Sequence, residues 1–325
     1  MLCVVMGHVL LFGIGVGKGS SLPLRLIDNV QMPTFFFISG LMGYKHTHRW
    51  HGGALRRNMW RKCRVLLVPA LAFYALYQAT HGGPLTAFLT GGFGLYWFTF
   101  TLLEFFLVYY ALVWLEKWTH RSQVVNWGLV LVSLAGIAHV DWLVPLPQWF
   151  APLQVGEFFC YFQFFAAGVL ARKYHDGFMR LATNGWLIGA CIVTFVLCSI
   201  PYGDAEFQAN HPLPYMLLYG EVLRWTALAV VFAFFHRIRG FFESHSPLVR
   251  SWLFIGRRTL DIYMLHYFFI PTLTGLAAFV SLPGQSGLTL LLVAAIGLAI
   301  IALTMLCSAL IRTSPALAHW LLGTK

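Results

Sequence analysis

Apolar runs free of charge recur along the whole chain, separated by short polar breaks. The clearest is Leu288 to Ile311, 24 residues without a charged side chain. A helix rises about 1.5 Å per residue, so this run is long enough to cross the roughly 30 Å hydrocarbon core of a bilayer. In lipid only helices and closed barrels satisfy their own backbone. The runs are continuous rather than alternating, which is the helical pattern and not the barrel one. The chain is therefore expected to be an all-α polytopic integral membrane protein with about ten transmembrane helices. They are placed at residues 1–17, 32–45, 65–80, 95–115, 124–140, 156–171, 184–200, 215–236, 258–280 and 288–311. Turn formers such as His81-Gly82-Gly83-Pro84 and Leu282-Pro283-Gly284 mark the connections. With no soluble domain, low-complexity tract or repeat in view, residues 1–325 read as a single transmembrane domain.

Composition agrees: 59% of residues are hydrophobic and 10% charged, against about a quarter charged in soluble domains. The net charge of +11 is explained by where the cations fall. With the start on the cytoplasmic side, the threading puts every one of the 22 Lys and Arg on that side except Lys18, Arg25 and Arg224. This is the positive-inside bias. It predicts both termini in the cytoplasm, with lipids rather than nucleic acid as the partner of the positive charge; the location is expected to be a bacterial inner (plasma) membrane. The six cysteines (Cys3, Cys63, Cys160, Cys191, Cys198 and Cys307) form no CxxC pair. They read as small buried hydrophobes rather than disulfides or metal ligands, and no metal is expected. Met1 to Gly17 is short for a span and opens with no cation, unlike a signal peptide. The first helix is expected to begin upstream of Met1.

Ionisable groups at membrane depth are costly, and each is a functional candidate. They are His8, Glu104, Glu157, Glu221, Arg224, Asp261 and His266. His8 falls near the middle of the first helix, where desolvation favours a neutral imidazole able to accept a proton. It reads either as a general base for a hydroxyl or as a histidine packing one helix on another. His266 has Tyr263 three residues back on the same helix face, while Asp261, five back, is turned toward Arg257 or Arg258. The pair is either structural or catalytic. Glu221 and Arg224, three apart, are either a brace or part of a polar path. Glu104 must find a partner or hold a proton, and Glu157 is placed at the outer interface. Arg61-Lys62-Cys63-Arg64 gathers three cations before Val65-Leu66-Leu67-Val68-Pro69. Arg61 and Arg64 share a helix face and can grip a phosphate as two forks, or they anchor topology against lipid headgroups. His46, His48 and His51 lack metal-ligand spacing and read as a solvated loop. In Gln31-Met32-Pro33-Thr34-Phe35-Phe36-Phe37-Ile38-Ser39-Gly40, Pro33 suits the first turn of a helix. Ser39 and Gly40 permit close approach of a neighbouring helix.

In order along the chain, several of these segments resemble the membrane-bound acyltransferase family 3, whose members include glycan O-acetyltransferases. They are Val4-Val5-Met6-Gly7-His8, Met32 to Gly40, Arg61-Lys62-Cys63-Arg64 with Leu66-Leu67-Val68-Pro69, and Tyr96-Trp97-Phe98. Ile255-Gly256-Arg257-Arg258-Thr259-Leu260 and Ile262-Tyr263-Met264-Leu265-His266 complete the set. The resemblance implies transfer of an acyl group, usually acetyl, from cytoplasmic acyl-CoA (acetyl-CoA) to a hydroxyl of a cell-surface glycan or lipid-linked sugar. It implies His8 as the catalytic base. Arg61 and Arg64, with Lys62 between them, would be the contacts to the donor. His266 corresponds to the histidine of the late Tyr-x-x-His motif and is carried as a second catalytic candidate. Two departures stand out. The basic residue that the family places upstream of its first-helix histidine would here precede Met1, and Gln31 stands where a histidine is commoner. The rival reading is a transporter or exporter of a glycan or small polar substrate with Glu221, Arg224 and His266 along its path, although no matching halves are evident. A membrane sensor in which the histidines only pack is a third.

Overall fold

In the computed structural model the chain is described over residues 1–17, 21–44, 52–139, 147–203, 207, 210–280, 282 and 284–323. Helices and turns make up the described residues, with no strand among them. The first helix, α1, runs Leu2–His8 and continues as a π-helical stretch over Val9–Ile14. Next come α2 (Leu22–Gly43), α3 (Gly53–His81, with a π-helical stretch at Cys63–Leu67), α4 (Trp97–Thr119), α5 (Val124–Ile137) and α6 (Val155–Lys173). After these follow α7 (His175–Ala182), α8 (Gly185–Ser199), α9 (Leu213–Arg237), α10 (Pro247–Gly256), α11 (Thr259–Leu265), α12 (Ser286–Ile311) and α13 (Pro315–Leu321).

The chain divides into two compact units. The first comprises Met1–Thr34 and Met179–Leu310. Its core joins Val5, Met6, Val9 and Leu10 of α1 to Leu24 and Ile27 of α2, Ile262 of α11, and Val293, Ile300 and Ile301 of α12. Gly297 lets α12 close on α1, since a Cβ there would lie 3.2 Å from Leu2 Cδ1 and 3.4 Å from Met6 Cγ. Past α11 the chain tightens into a 3₁₀ turn at His266–Phe269, breaks, and resumes at Thr274 after a bend of 91°. The break is tied to α1: the Leu273 N–H donates to the Gly13 carbonyl at 2.7 Å.

The second unit comprises Phe35–Phe178 and Ile311–Lys325. Phe36 lies at its centre, with ring centroids of Phe98, Phe105 and Tyr161 within 4.8, 4.8 and 5.3 Å. The tightest crossing is between α2 and α6. A Cβ on Gly40 would stand 2.0 Å from the Phe165 carbonyl oxygen, and one on Gly168 would stand 2.0 Å from that of Phe37. In lipid, where burying apolar surface between helices gains little, such small-residue contacts supply the association.

Among the described residues, five helices are long and apolar enough to cross a membrane: Gly53–His81, Gly94–Thr119, Phe150–Lys173, Leu213–Arg237 and Ser286–Ile311. Counting each bent pair as one span, α7 with α8 (63°) and the broken helix after α11 (91°), gives up to seven. The ten spans read from the sequence exceed that number. Shorter apolar helices, Leu2–Ile14 and Val124–Ile137, account for part of the difference.

Three expectations change. Pro33 lies inside α2 rather than in its first turn, because the helix begins at Leu22 and carries Asp28, Asn29 and Gln31 within it. The basic motif is within the long helix α3, not ahead of it. The cysteines, read from the sequence as buried, are not: Cys3 is exposed and the other five are intermediate. Lys18, Lys45, His46, His48, Arg49, His51 and Lys325 lie outside the described residues.

The glycine crossing makes a stability prediction. Gly168→Val or Gly40→Val forces a side chain onto a facing carbonyl, an overpacking that costs about 1–3 kcal/mol or more. The expected result is a lowered midpoint of thermal unfolding in detergent, with Gly53→Ala, where a Cβ meets nothing within 4 Å, unchanged.

Candidate functional site

The candidate residues gather in two places, one in each unit. In the first unit, α1 brings His8 and the broken helix brings His266 to a direct hydrogen bond, Nδ1 of His8 to Nε2 of His266 at 2.7 Å. Their rings are nearly parallel, with a 12° angle between planes and centroids 5.0 Å apart. Both are buried, His266 completely and His8 with 6% exposure. The two histidines are 258 positions apart in sequence.

The local backbone explains how they meet. His266 opens the 3₁₀ turn that precedes the 91° break. Its Nδ1 lies 2.9 Å from the carbonyl oxygens of both Ile262 and Tyr263, so the ring folds back onto its own helix. His8 stands where α1 changes from α to π geometry. A π stretch is rare and is frequent at functional sites. Gly13, five residues on, lets the chain after the break approach closely: a Cβ there would lie 2.8 Å from the Pro271 carbonyl oxygen.

These contacts assign the protons. Carbonyl oxygens only accept, so His266 Nδ1 carries a hydrogen and donates it to Ile262 and Tyr263. In the neutral ring Nε2 is then a bare acceptor. His8 Nδ1, facing that nitrogen, is the donor. The remaining nitrogen, His8 Nε2, holds a lone pair. Its neighbour is the Tyr267 hydroxyl at 3.4 Å, a long contact. His8 is thus able to take a proton at one defined atom.

Tyr267 was not singled out by sequence reasoning, which paired His266 with Tyr263. The Tyr263 ring is 6.1 Å from that of His266, while Tyr267 lies 3.9 Å from His266 and 4.9 Å from His8. Helical spacing favours residues three or four apart, and the change to a 3₁₀ turn overrides it. Phe12, one turn beyond His8 and half exposed, covers the same ring at 5.5 Å.

Asp261 is buried nearby and accepts from Ser308 Oγ of α12 at 2.6 Å, and Arg258 Nη1 reaches the same Ser308 Oγ at 3.4 Å. Ser308 therefore stands between Asp261 and the cation that the sequence proposed for it. Glu221 and Arg224 form an ion pair at 2.6 Å along α9.

In the second unit the basic motif straddles the π stretch of α3. Arg61 is exposed. Lys62 Nζ lies over the Phe106 ring, 3.6 Å from its centroid, a cation–π contact. Arg64, half buried, donates from Nη1 to the ring of His319 on α13. The structure brings Arg61, Lys62 and Arg64 together on one stretch of helix, and His8 and His266 together elsewhere. Glu104 has one carboxyl oxygen buried without a hydrogen-bond partner, and Glu157 lies in the first turn of α6. Among the described residues no group of three His, Cys, Asp or Glu is arranged to hold a metal ion.

A family model of acyltransferase family 3, described as an acyltransferase domain, matches residues 1–311. No curated protein and no solved structure matches the chain.

The proton assignment makes a prediction. In protein labelled with ¹⁵N-histidine, the nitrogen spectrum at neutral pH should contain two rings with protonated Nδ1 and bare Nε2, one lost in His8→Ala, where the Ile262 and Tyr263 carbonyls still fix His266, and both lost in His266→Phe, where His8 also loses its acceptor. A His8 ring protonated at Nε2 would refute the assignment.

Proposed function

This chain belongs to acyltransferase family 3, and from that premise we propose that it transfers an acetyl group from cytoplasmic acetyl-CoA to a hydroxyl of a surface glycan or lipid-linked sugar. It is a membrane acyltransferase; donor, acyl group and acceptor are the proposal. The observation that carries it is the His8–His266 pair, whose hydrogen bonds leave a lone pair at His8 Nε2.

In the proposed reaction the acceptor hydroxyl approaches His8 Nε2, which takes its proton as the oxygen attacks the thioester carbonyl. General base catalysis of this kind is worth about 10²–10⁴-fold. The imidazolium that forms on His8 is not left alone. Its Nδ1–H points at His266 Nε2, so charge spreads over two rings, the second anchored on the Ile262 and Tyr263 carbonyls. When the tetrahedral intermediate collapses, the C–S bond breaks and the same proton passes from His8 Nε2 to the leaving thiolate. The Tyr267 hydroxyl, beside His8 Nε2, is a donor for the developing oxyanion. Arg61 and Arg64, with Lys62, supply the cations for the phosphates of coenzyme A. The proposal retains the ten-span threading with both termini in the cytoplasm of a bacterial inner membrane, which places these cations on the side of the donor.

One observation favours a second reading. A broken apolar helix, here interrupted between Phe269 and Thr274 with a bend of 91°, is also how transporters build substrate paths. Protein purified into liposomes separates the two. Acetyl-CoA hydrolysed or consumed against a polysaccharide acceptor, with a matching mass increment on the sugar, supports transfer; sugar flux without thioester consumption supports transport.

His8→Ala is expected to lower acetyl transfer about 10²–10⁴-fold with KM for acetyl-CoA little changed. His266→Ala should give a smaller loss, because it removes the partner of the imidazolium and not the base. Transfer by His8→Ala at the unsubstituted rate would remove this mechanism.

A further inference from the structure

We propose that His319 is a positioning residue for the acyl donor: an uncharged acceptor that fixes the Arg64 guanidinium while leaving its positive charge unspent. The inference rests on the reading of Arg64 as a donor contact and goes beyond it, since α13 lies past residue 311, where the family match ends.

A guanidinium has five N–H donors, no acceptor, and a permanent charge. The contact with His319 therefore has one direction, Arg64 Nη1 donating to a ring nitrogen that carries a lone pair. Which kind of group accepts that bond decides what is left for a ligand. A carboxylate would orient the fork and cancel its charge. A neutral imidazole orients it at no loss of charge, and the fork is not exhausted, because the Arg64 Nε–H is buried without a hydrogen-bond partner. An oriented, unneutralised guanidinium is what bidentate recognition of a phosphate requires.

The tail is built to hold His319 there. Ser314 caps α13 by accepting from the Leu317 N–H at 3.4 Å, and Pro315 occupies the first turn. Ala318 and Leu322 are buried on the face next to His319. The helix ends at Gly323 with φ +64°, a left-handed conformation that glycine adopts readily. A Cβ on Gly323 would lie 2.9 Å from Val65 Cγ1. The tail thus meets the π stretch of α3 at adjacent residues, His319 at Arg64 and Gly323 at Val65.

The test is steady-state transfer by the full-length protein with acetyl-CoA varied at saturating acceptor. His319→Ala should raise KM for acetyl-CoA about tenfold, the effect of one charge-assisted hydrogen bond, with kcat and the acceptor KM nearly unchanged. His319→Asn, which keeps a neutral acceptor, should restore a low KM. His319→Asp is nearly the same size, keeps the acceptor and adds a negative charge, so its KM should stay high. A merely structural role would not separate Asn from Asp. Equal donor KM values in those two variants would overturn the proposal even if the Ala variant failed to fold. Arg64→Ala distinguishes the two layers of the argument. A raised donor KM in Arg64→Ala with none in His319→Ala overturns the role of His319 alone. An unchanged donor KM in Arg64→Ala removes Arg64 from the donor site, and the proposal with it.

Discussion

A carbonyl oxygen accepts hydrogen bonds and never donates them, and the order of the histidine site follows from that. Ile262 and Tyr263 oblige His266 to place its hydrogen on Nδ1. His266 then obliges His8 to do the same, across 2.7 Å. Two rings far apart in sequence are thereby locked into one tautomeric state without any carboxylate among these contacts. In water such a pair would exchange tautomers and solvent partners freely. Here both rings are buried, so breaking either bond strands a polar group in an apolar interior, at a cost of about 1–3 kcal/mol.

Irregular backbone makes this possible. The Ile262 carbonyl accepts the backbone N–H of His266 and, with its second lone pair, the ring Nδ1–H as well, at the point where the α-helix gives way to the 3₁₀ turn and the break. Membrane interiors tolerate such breaks only where protein or a polar path satisfies the freed groups. The Leu273 N–H bonding to Gly13 is part of that satisfaction, and it fastens the break to the π stretch that follows His8. The second unit repeats the device separately, with a π stretch beginning at Cys63 between Lys62 and Arg64.

The sequence was a good guide to what composition and single residues control. Its charge-free runs correspond to helices, and Gly40 makes the close crossing expected of it. His8 and His266 were selected because ionisable groups in oil need a reason, and they proved to be neighbours. What escaped was set by geometry that no local pattern encodes. Tyr267 came into the site through a change of helix type, and His319 reached Arg64 from a tail that hydropathy treats as an afterthought. Of the ten spans, five to seven are met by long apolar helices among the described residues, since apolar composition does not reveal where a helix bends by 63° or 91°.

Two arginines at comparable depth in burial show how the protein separates scaffold from tool. Arg224 is neutralised by Glu221 three residues away on its own helix, at 2.6 Å, and a paired charge of this kind offers little to a ligand. Arg64 donates instead to an imidazole, and its neighbour Lys62 lies over an aromatic face. Each of those contacts holds a cation in place through a neutral partner, so the positive field at the motif survives the packing. Simple topology anchors would need no such care, because a lysine at the boundary satisfies the positive-inside bias in any orientation. Orienting a guanidinium while preserving its charge serves a ligand that is anionic and has a shape, which is the physical argument for a phosphate-bearing donor at this helix.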